Sequence, residues 1–388
     1  MSAMKTAVLG LMLLCAGQAT AYGRGHCQEP THDPLKGCPA GTLLVGPGQN
    51  FTSVQAAVRS LGNTTTPATI LILPGNYTEQ VNVTRQGPLT LLGQTHAPND
   101  ASQNTVNMIW HNATGTATTG TYDNAYTSTL TIAPDFNAST TGSGPSGNPV
   151  PAGTPFGNAN FRTYNLNFIN AYLPYSAGPS LALSVSYANA GFYYTQFQSY
   201  QDTVYVGKLG NAYMYGCIIG GQTDFFYGFG TLWVDQSQVQ LRGCGGGITA
   251  WKGSNTTFEN KYGVYIHNSH VAKANSTLNI THQCALGRPW NAQHRSIFAN
   301  DYLDDSIRPS GYIQWSATDP RVNLNTTMAE YQDYGPGFNL TGRLLASNIT
   351  IEMTAAQYEP YSKPAKVFQY PFSGQFGNTE WIDEHPQA

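Results

Sequence analysis

Tyr200-Gln201-Asp202-Thr203 and, one patterned segment later, Gly221-Gln222-Thr223-Asp224-Phe225-Phe226-Tyr227-Gly228 are the residues that decide how this chain folds. Asp202 and Asp224 stand 22 residues apart. Around them an aromatic-rich segment recurs, beginning near Phe192, near Tyr213 and near Trp233, and each unit ends in glycine or a glycine-rich turn. A step close to twenty residues signals a solenoid, whose coils pack only on their neighbours. Stacked strands of a parallel solenoid lie about 4.8 Å apart. One coil of separation therefore predicts that Asp202 and Asp224 meet on one face.

Composition agrees with that architecture. The 388 residues are 40% hydrophobic, enough for a sizeable core, and all-β folds of this length often form one domain. Only 10% of residues are charged and the net charge is -3. No basic stripe is present, which argues against nucleic acid as a partner. Lys5, the apolar run from Val8 to Ala16 and the small-x-small site Ala19-Thr20-Ala21 predict a signal peptide over residues 1–21. That run is too short to span a bilayer, and no later stretch is long enough, so export without a membrane anchor is expected. Sequons at Asn50, Asn63, Asn82, Asn112, Asn137, Asn255, Asn275, Asn325, Asn339 and Asn348 agree with a secreted glycoprotein.

Cleavage would remove Cys15 and leave Cys27, Cys38, Cys217, Cys244 and Cys284. Cys27 and Cys38 are expected to pair. Two of the other three can bridge coils, leaving one buried thiol, and the spacing matches no zinc site.

In chain order, residues 22–45 read as an irregular arm with Pro30, Pro34 and Pro39, and residues 46–388 as a single β-helix domain. Phe51 to Gly62 predicts an amphipathic helix covering the open end of the solenoid. Thr52 and Gln55 would form its capping box, and Val54, Ala57, Val58 and Leu61 its buried face. Strands are expected at Ile70–Leu73 and Leu89–Leu92, and over Thr129–Ile132 as the one strand between Ala97 and Asn160. Others are expected at Tyr164–Phe168, Leu181–Val185, Val264–Ile266, Ile297–Phe298 and Tyr312–Ile313. Residues 134–158 read as a long loop, Ala355 to Tyr358 as a short helix, and the tail from Pro360 as packing along the outside.

Two carboxylates about 5 Å apart cannot both ionise easily. Repulsion and burial raise one pKa while a nearby cation keeps the other ionised, giving an acid and a nucleophile or base. Arg288, in Leu286-Gly287-Arg288-Pro289-Trp290, is the candidate cation, and Trp290 the candidate sugar-facing ring. Gln201 could donate to a developing oxyanion. Spacing alone leaves another reading open, because an aspartate in a solenoid turn often only caps backbone groups. Asp304-Asp305 would point to opposite faces and suit a turn. His267, His270 and His282 form no recognisable metal set. Tyr193, Tyr194 and Phe197 read as coil packing.

These motifs also resemble, in family order, those of the pectin methylesterases. Gly75-Asn76-Tyr77-Thr78-Glu79 resembles the family's Gly-x-Tyr-x-Glu element, Tyr200–Thr203 its acid motif and Gly221–Phe225 its nucleophile motif. Leu286–Trp290 resembles its arginine motif. Ala329-Glu330-Tyr331 with Gly335-Pro336-Gly337 resembles its C-terminal signature. The likeness spans roughly residues 45–360. It implies a right-handed parallel β-helix, all-β, with an N-terminal capping helix and an irregular C-terminal segment. It implies Asp224 as nucleophile, Asp202 as acid and base, Gln201 as oxyanion donor and Arg288 as the partner of Asp224. Trp290, Phe225, Tyr227 and Ser180 would meet the substrate. That substrate would be methylesterified pectin, with no cofactor or metal, and the enzyme an extracellular monomer. The chain departs from the family where a second oxyanion Gln is usual: Pro179 and Ser180 stand there. Gln222 and Phe226 also replace smaller or aliphatic residues. A backbone-cutting lyase or glycosidase, or a pectin-binding solenoid without catalysis, are the alternative readings.

Overall fold

The computed structural model describes residues 23–115, 122–142 and 148–388. The signal peptide expected over residues 1–21 lies outside the described residues. Among these, the strands form three parallel sheets, of eleven, eight and six strands. Each full coil contributes one strand to each sheet in that order. Asn189–Tyr193, Gln196–Gln198 and Val204–Val206 make one coil, and Asn211–Tyr215, Ile218–Thr223 and Phe226–Gly228 the next. The fold is the expected parallel β-helix, with the right hand that strand twist imposes on parallel crossovers. Successive strands of the eleven-stranded sheet begin at Asn189, Asn211, Thr231 and Gly263, so the step is 22, then 20, then 32 residues. The short repeat thus holds around the aspartates and lengthens where loops are inserted.

One residue per coil makes the corner between the eleven- and eight-stranded sheets. Asn165, Tyr194, Gly216, Gln236, Asn268, Asn300 and Gln332 occupy it, each with φ between +45° and +62°. Asn suits this left-handed region because its short amide can bond locally. The corner corrects the expectation of one strand over Tyr164–Phe168. The alternation is present, but Asn165 turns the chain, leaving Phe161–Tyr164 in one sheet and Asn167–Asn170 in the next. Two further corrections concern strands. Val106–Trp110 is a strand of the eight-stranded sheet within the polar stretch after Ala97. Tyr312–Ile313 is irregular, because Tyr312 plugs the coil interior and its hydroxyl donates to the carbonyls of Ser296 and Ala329.

Inward-facing Val, Ile, Leu and Phe fill the tube. Phe168 stacks on Phe197 across coils at 5.7 Å between centroids, and Phe161, Phe192 and Met214 pack beside them. Outside, Tyr164, Tyr193, Tyr213, Trp233 and Tyr265 form a second ladder, covered by Phe368, Trp381 and Ile382 of the C-terminal tail. Tyr164 and Tyr193 stack at 4.8 Å. The tail therefore lies along the outer wall, as its composition predicts.

The capping helix runs Val54–Ser60 and buries Val54, Ala57 and Val58. Its cap is Ser53, not Thr52: Ser53 Oγ accepts from the Ala56 N–H. The Gly75–Glu79 element completes the cap. The Glu79 carboxylate accepts from Ser53 Oγ at 2.7 Å, Val54 N at 2.8 Å and Gln55 N at 2.9 Å. An anion there satisfies otherwise orphaned donors and complements the helix dipole.

The N-terminal arm is more ordered than expected. Arg24–Gln28 is helical, and Leu43–Val45 already pairs with the strand Ala68–Ile72, so the β-helix begins before residue 46. Cys27 bonds Cys38 within the arm, and Cys244 bonds Cys284 between coils. Cys217 is the buried thiol, donating to the Phe192 carbonyl, and burial pushes its pKa up to about 12. The expected helix at Ala355–Tyr358 forms with a Thr354/Gln357 capping box. Leu340–Leu345 is a further helix that polar neighbours had hidden.

Candidate active site

The candidate site lies where the chain crosses from the eight- to the six-stranded sheet. This crossing is long in the coil ending at Leu183, spanning residues 171–182. It shortens to residues 199–203 in the coil of Asp202, and to Asp224 and Phe225 alone in the next. The following coil crosses in residues 246–248, so the long loop of residues 171–182 rises beside three short crossings, and the recess above them is the candidate cleft. Asp202 and Asp224 occupy equivalent positions. Gln201 bridges Thr223 across the coils, and the Asp202 N–H donates to the Thr223 carbonyl at 3.0 Å. Both aspartates have left-handed backbones, φ +59° and +47°, and Gly246 on the following coil continues the ladder at +58°. Non-glycine residues in this region store some backbone strain, and Asp tolerates it better than most.

Arg288 reaches Asp224 from a coil beyond. Its Nε donates to Oδ1 at 3.0 Å and its Nη2 to Oδ2 at 2.7 Å, a two-pronged pair. The Gly247 N–H adds a third donor to Oδ1 at 3.0 Å. Glycine at 246 is what admits the guanidinium. A Cβ there would lie 2.4 Å from Asp224 Oδ1 and 2.7 Å from Arg288 Nε. The Cys244–Cys284 bond fastens the strand Gln238–Gly245 to the segment that leads into Leu286-Gly287-Arg288.

The guanidinium is held on its face as well. Arg288 lies over the Trp315 ring at 4.1 Å, and Arg321 lies over Trp315 at 4.2 Å. Arg321 also donates to the Trp290 carbonyl at 2.7 Å and pairs with Asp319. Ring quadrupoles attract cations at either face, so the stack restrains Arg288 from behind.

Asp202 is buried, and its pKa is raised well above the usual carboxylate range. Burial is the main cause and the charge of Asp224 the second, with Arg288 opposing. Both causes disfavour the charged form of the carboxyl. Asn124 Nδ2 donates to its Oδ2 at 3.3 Å. Asp224 is the member of the pair anchored by Arg288, and among the described residues Asp202 is the one without a cationic partner in contact.

The four substrate-facing candidates fare differently. Trp290 is half-buried at the cleft and packs on Tyr227 and Phe229, with ring centroids 5.4 and 5.8 Å away. Tyr227 lies on the same outward face but is only 2% exposed, so it supports Trp290 from below. Phe225 is corrected: it is fully buried in the interior core, because the chain turns at Asp224 and carries the next side chain inward. Gly221 makes room for it, since a Cβ there would meet Phe225 Cβ at 2.2 Å. Ser180 is also corrected. It sits one coil before Gln201, but its hydroxyl is bonded to Ser199 Oγ at 2.8 Å and is buried.

Asn124, Trp315 and Arg321 were missed. Trp315 and Arg321 come from an irregular segment without periodicity, and Asn124 opens the 3-10 helix Asn124–Thr127 in a polar stretch that gives no signal. Lys252 was missed as well. Its Nζ lies 3.2 Å from the Trp290 ring centroid, and its pKa is pushed down to about 7 by burial, then by Lys208 and Arg321. Asp304 does take a turn role, accepting from the Lys273 and Ser306 N–H groups, while Asp305 pairs with Lys273. His270 stacks on Tyr302 and His267 faces Asp235. Among the described residues no group of three or more His, Cys, Asp or Glu is placed to hold a metal ion.

The pectinesterase family model matches residues 139–368. The chain is 30% identical to probable pectinesterase A of Aspergillus niger, over 87% of this chain and 91% of that protein. It is 29% identical to pectinesterase A of Emericella nidulans, over 82% and 86% respectively. Its structure is similar to the crystal structure of the pectin methylesterase from Aspergillus niger, with a TM-score of 0.65 at 25% identity, covering 89% of this chain and 97% of that one. With the family model, the relatives and the fold in agreement, the chain belongs to the pectinesterase family, enzymes that demethylesterify pectin.

Proposed function

We propose that this chain hydrolyses methyl esters of homogalacturonan with Asp224 as nucleophile and Asp202 as acid, then base. One observation carries the reading: an aspartate clamped by Arg288 stands one coil from a second, buried carboxyl whose pKa burial and the first aspartate raise. An Asp224 oxygen attacks the ester carbonyl carbon, and Gln201 donates to the oxyanion that forms. The carbon–methoxy bond then breaks, with the Asp202 proton passing to the departing oxygen to give methanol. Asp202, now ionised, takes a proton from water. The resulting hydroxide attacks the acyl carbon of the anhydride, the bond to Asp224 breaks, and the free galacturonate leaves. Asp202 ends protonated and Asp224 ionised, so the cycle closes. Trp290 offers the sugar an apolar surface beside this centre.

The same reading makes the chain an exported, monomeric glycoprotein acting on pectin in plant cell walls. Supporting it are the leader composition and the sequons. Asn50, Asn63, Asn82, Asn137, Asn255, Asn275, Asn325, Asn339 and Asn348 are exposed, whereas Asn112 is half-buried and accepts from the Tyr122 hydroxyl. No described helix is long and apolar enough to cross a membrane. Methanol release from methylesterified pectin tests the chemistry. Asp224→Asn is expected to reduce it on the order of 10⁴-fold. Release at the parent's rate by that variant, or new reducing ends or unsaturated products in place of methanol, would refute the assignment.

A further inference from the structure

We propose that Ser176 is a positioning residue that sets the amide of Gln201 for the oxyanion. The inference rests on the reading of Gln201 given above and extends it to a loop with no assigned role. Ser176 lies in the long crossing over residues 171–182, which rises beside the coil of Asp202. Its hydroxyl donates to Gln201 Oε1 at 2.9 Å. Among the described residues, Gln201 Nε2 has no protein acceptor, and it is therefore the end of the amide left to donate into the cleft.

The neighbouring side chains explain why this bond matters. Ser180, on the preceding coil, could have supplied a second donor, but its hydroxyl is committed to Ser199. Thr203 gives its hydroxyl hydrogen to the Gly220 carbonyl, and Thr223, stacked on Gln201, carries no amide. Of these neighbours, the Gln201 amide is the one placed next to Asp202 to bear the charge that forms in the transition state. An unrestrained Gln can turn about its last torsion and present its oxygen, which would repel an oxyanion. Ser176 occupies that oxygen and fixes the plane of the amide, so the donor is in place before charge develops. Preorganisation of this kind lowers the barrier without tightening ground-state binding.

A double-mutant cycle separates the alternatives, read as kcat and KM for methanol release from methylesterified pectin. Gln201→Ala is expected to lower kcat about 10²-fold. Ser176→Ala should lower kcat about 3- to 10-fold with KM unchanged, the worth of one neutral hydrogen bond. The double variant should match Gln201→Ala alone, because Ser176 acts only through that amide. Ser176→Thr should restore kcat, and Ser176→Val, equal in shape but lacking the hydroxyl, should not. Multiplying effects in the double variant, a Val variant as active as the Thr variant, or a change in KM alone would overturn the role of Ser176 while leaving Gln201 intact. A Gln201→Ala enzyme with the parent's kcat would instead overturn the oxyanion assignment, and this proposal with it.

Discussion

Two arginines grip carboxylates in this molecule with nearly the same geometry and to opposite ends. Arg343 donates to Glu330 through Nε at 2.6 Å and Nη2 at 2.9 Å. Arg288 donates to Asp224 through Nε at 3.0 Å and Nη2 at 2.7 Å. The first pair is sealed, with side chains 1% and 0% exposed, whereas the second opens on the cleft at 22% and 10%. Arg343 spends its remaining donors on the carbonyls of Arg308, Pro309 and Gly337, tying the C-terminal segments to the last coils. Arg288 is backed by an aromatic face instead. The sealed pair suits architecture, because every donor has a partner and nothing is left for a ligand. The open pair leaves an aspartate held in orientation and partly within reach of solvent. Burial, more than bond geometry, separates the sealed ion pair from the one proposed to react.

Breaking the pairs should make that contrast measurable. Arg288→Ala is expected to lower methanol release on the order of 10³-fold. Its melting temperature should fall less than that of the Arg343 variant, since Arg288 is 22% exposed and solvent can enter where its guanidinium stood. Arg343→Ala should leave kcat of the folded enzyme near the parent's but cost about 3–5 kcal/mol of stability, because Glu330 stays buried without its cation. Replacing both members, as Glu330→Leu with Arg343→Leu, should recover much of that loss; chemical denaturation measures it. If Arg343→Ala melts like the parent, or Arg288→Ala melts no higher than Arg343→Ala, the distinction drawn here fails.

The smallest expected change in stability concerns Asp202, whose folded-state pKa is raised. The native state then holds this proton more tightly than the unfolded chain does. Its contribution to stability is full below the unfolded carboxylate range and declines as pH rises towards the folded-state value. Asp202→Asn, neutral at every pH and similar in shape, should abolish activity yet melt slightly higher than the parent near pH 7. The two proteins should converge near pH 4, within the ordinary carboxylate range. A gap between their melting curves that widens on acidification would contradict the assigned sign.

Much of the candidate site was legible because a repeat converts sequence separation into distance. Asp202 and Asp224 had to meet once the period matched their spacing. The family motifs also acquire physical roles. Glu79 caps the end helix, Glu330 receives Arg343, and Gly287 lets its segment pass within reach of Thr249, where a Cβ would lie 2.1 Å from the hydroxyl. What escaped reading came from corners and irregular loops. Asn165 broke an alternating run, and Ser53 displaced Thr52 as the cap because Glu79, some 25 residues away, supplied the completing acceptor. Phe225 looked like a cleft residue by adjacency to Asp224, yet the left-handed turn sends it inside.

The sequence by itself determined the coil, its period, the stacking of the two aspartates and the identity of the arginine, because parallel pairing at a fixed spacing is a local rule repeated. Only the tertiary structure decided which side chains face the cleft, which Arg pair is sealed, and that Ser176, Asn124, Trp315 and Arg321 surround the centre. Those choices depend on left-handed corners and on loops of unequal length, where no periodicity constrains the chain and long-range contacts set each side chain's surroundings.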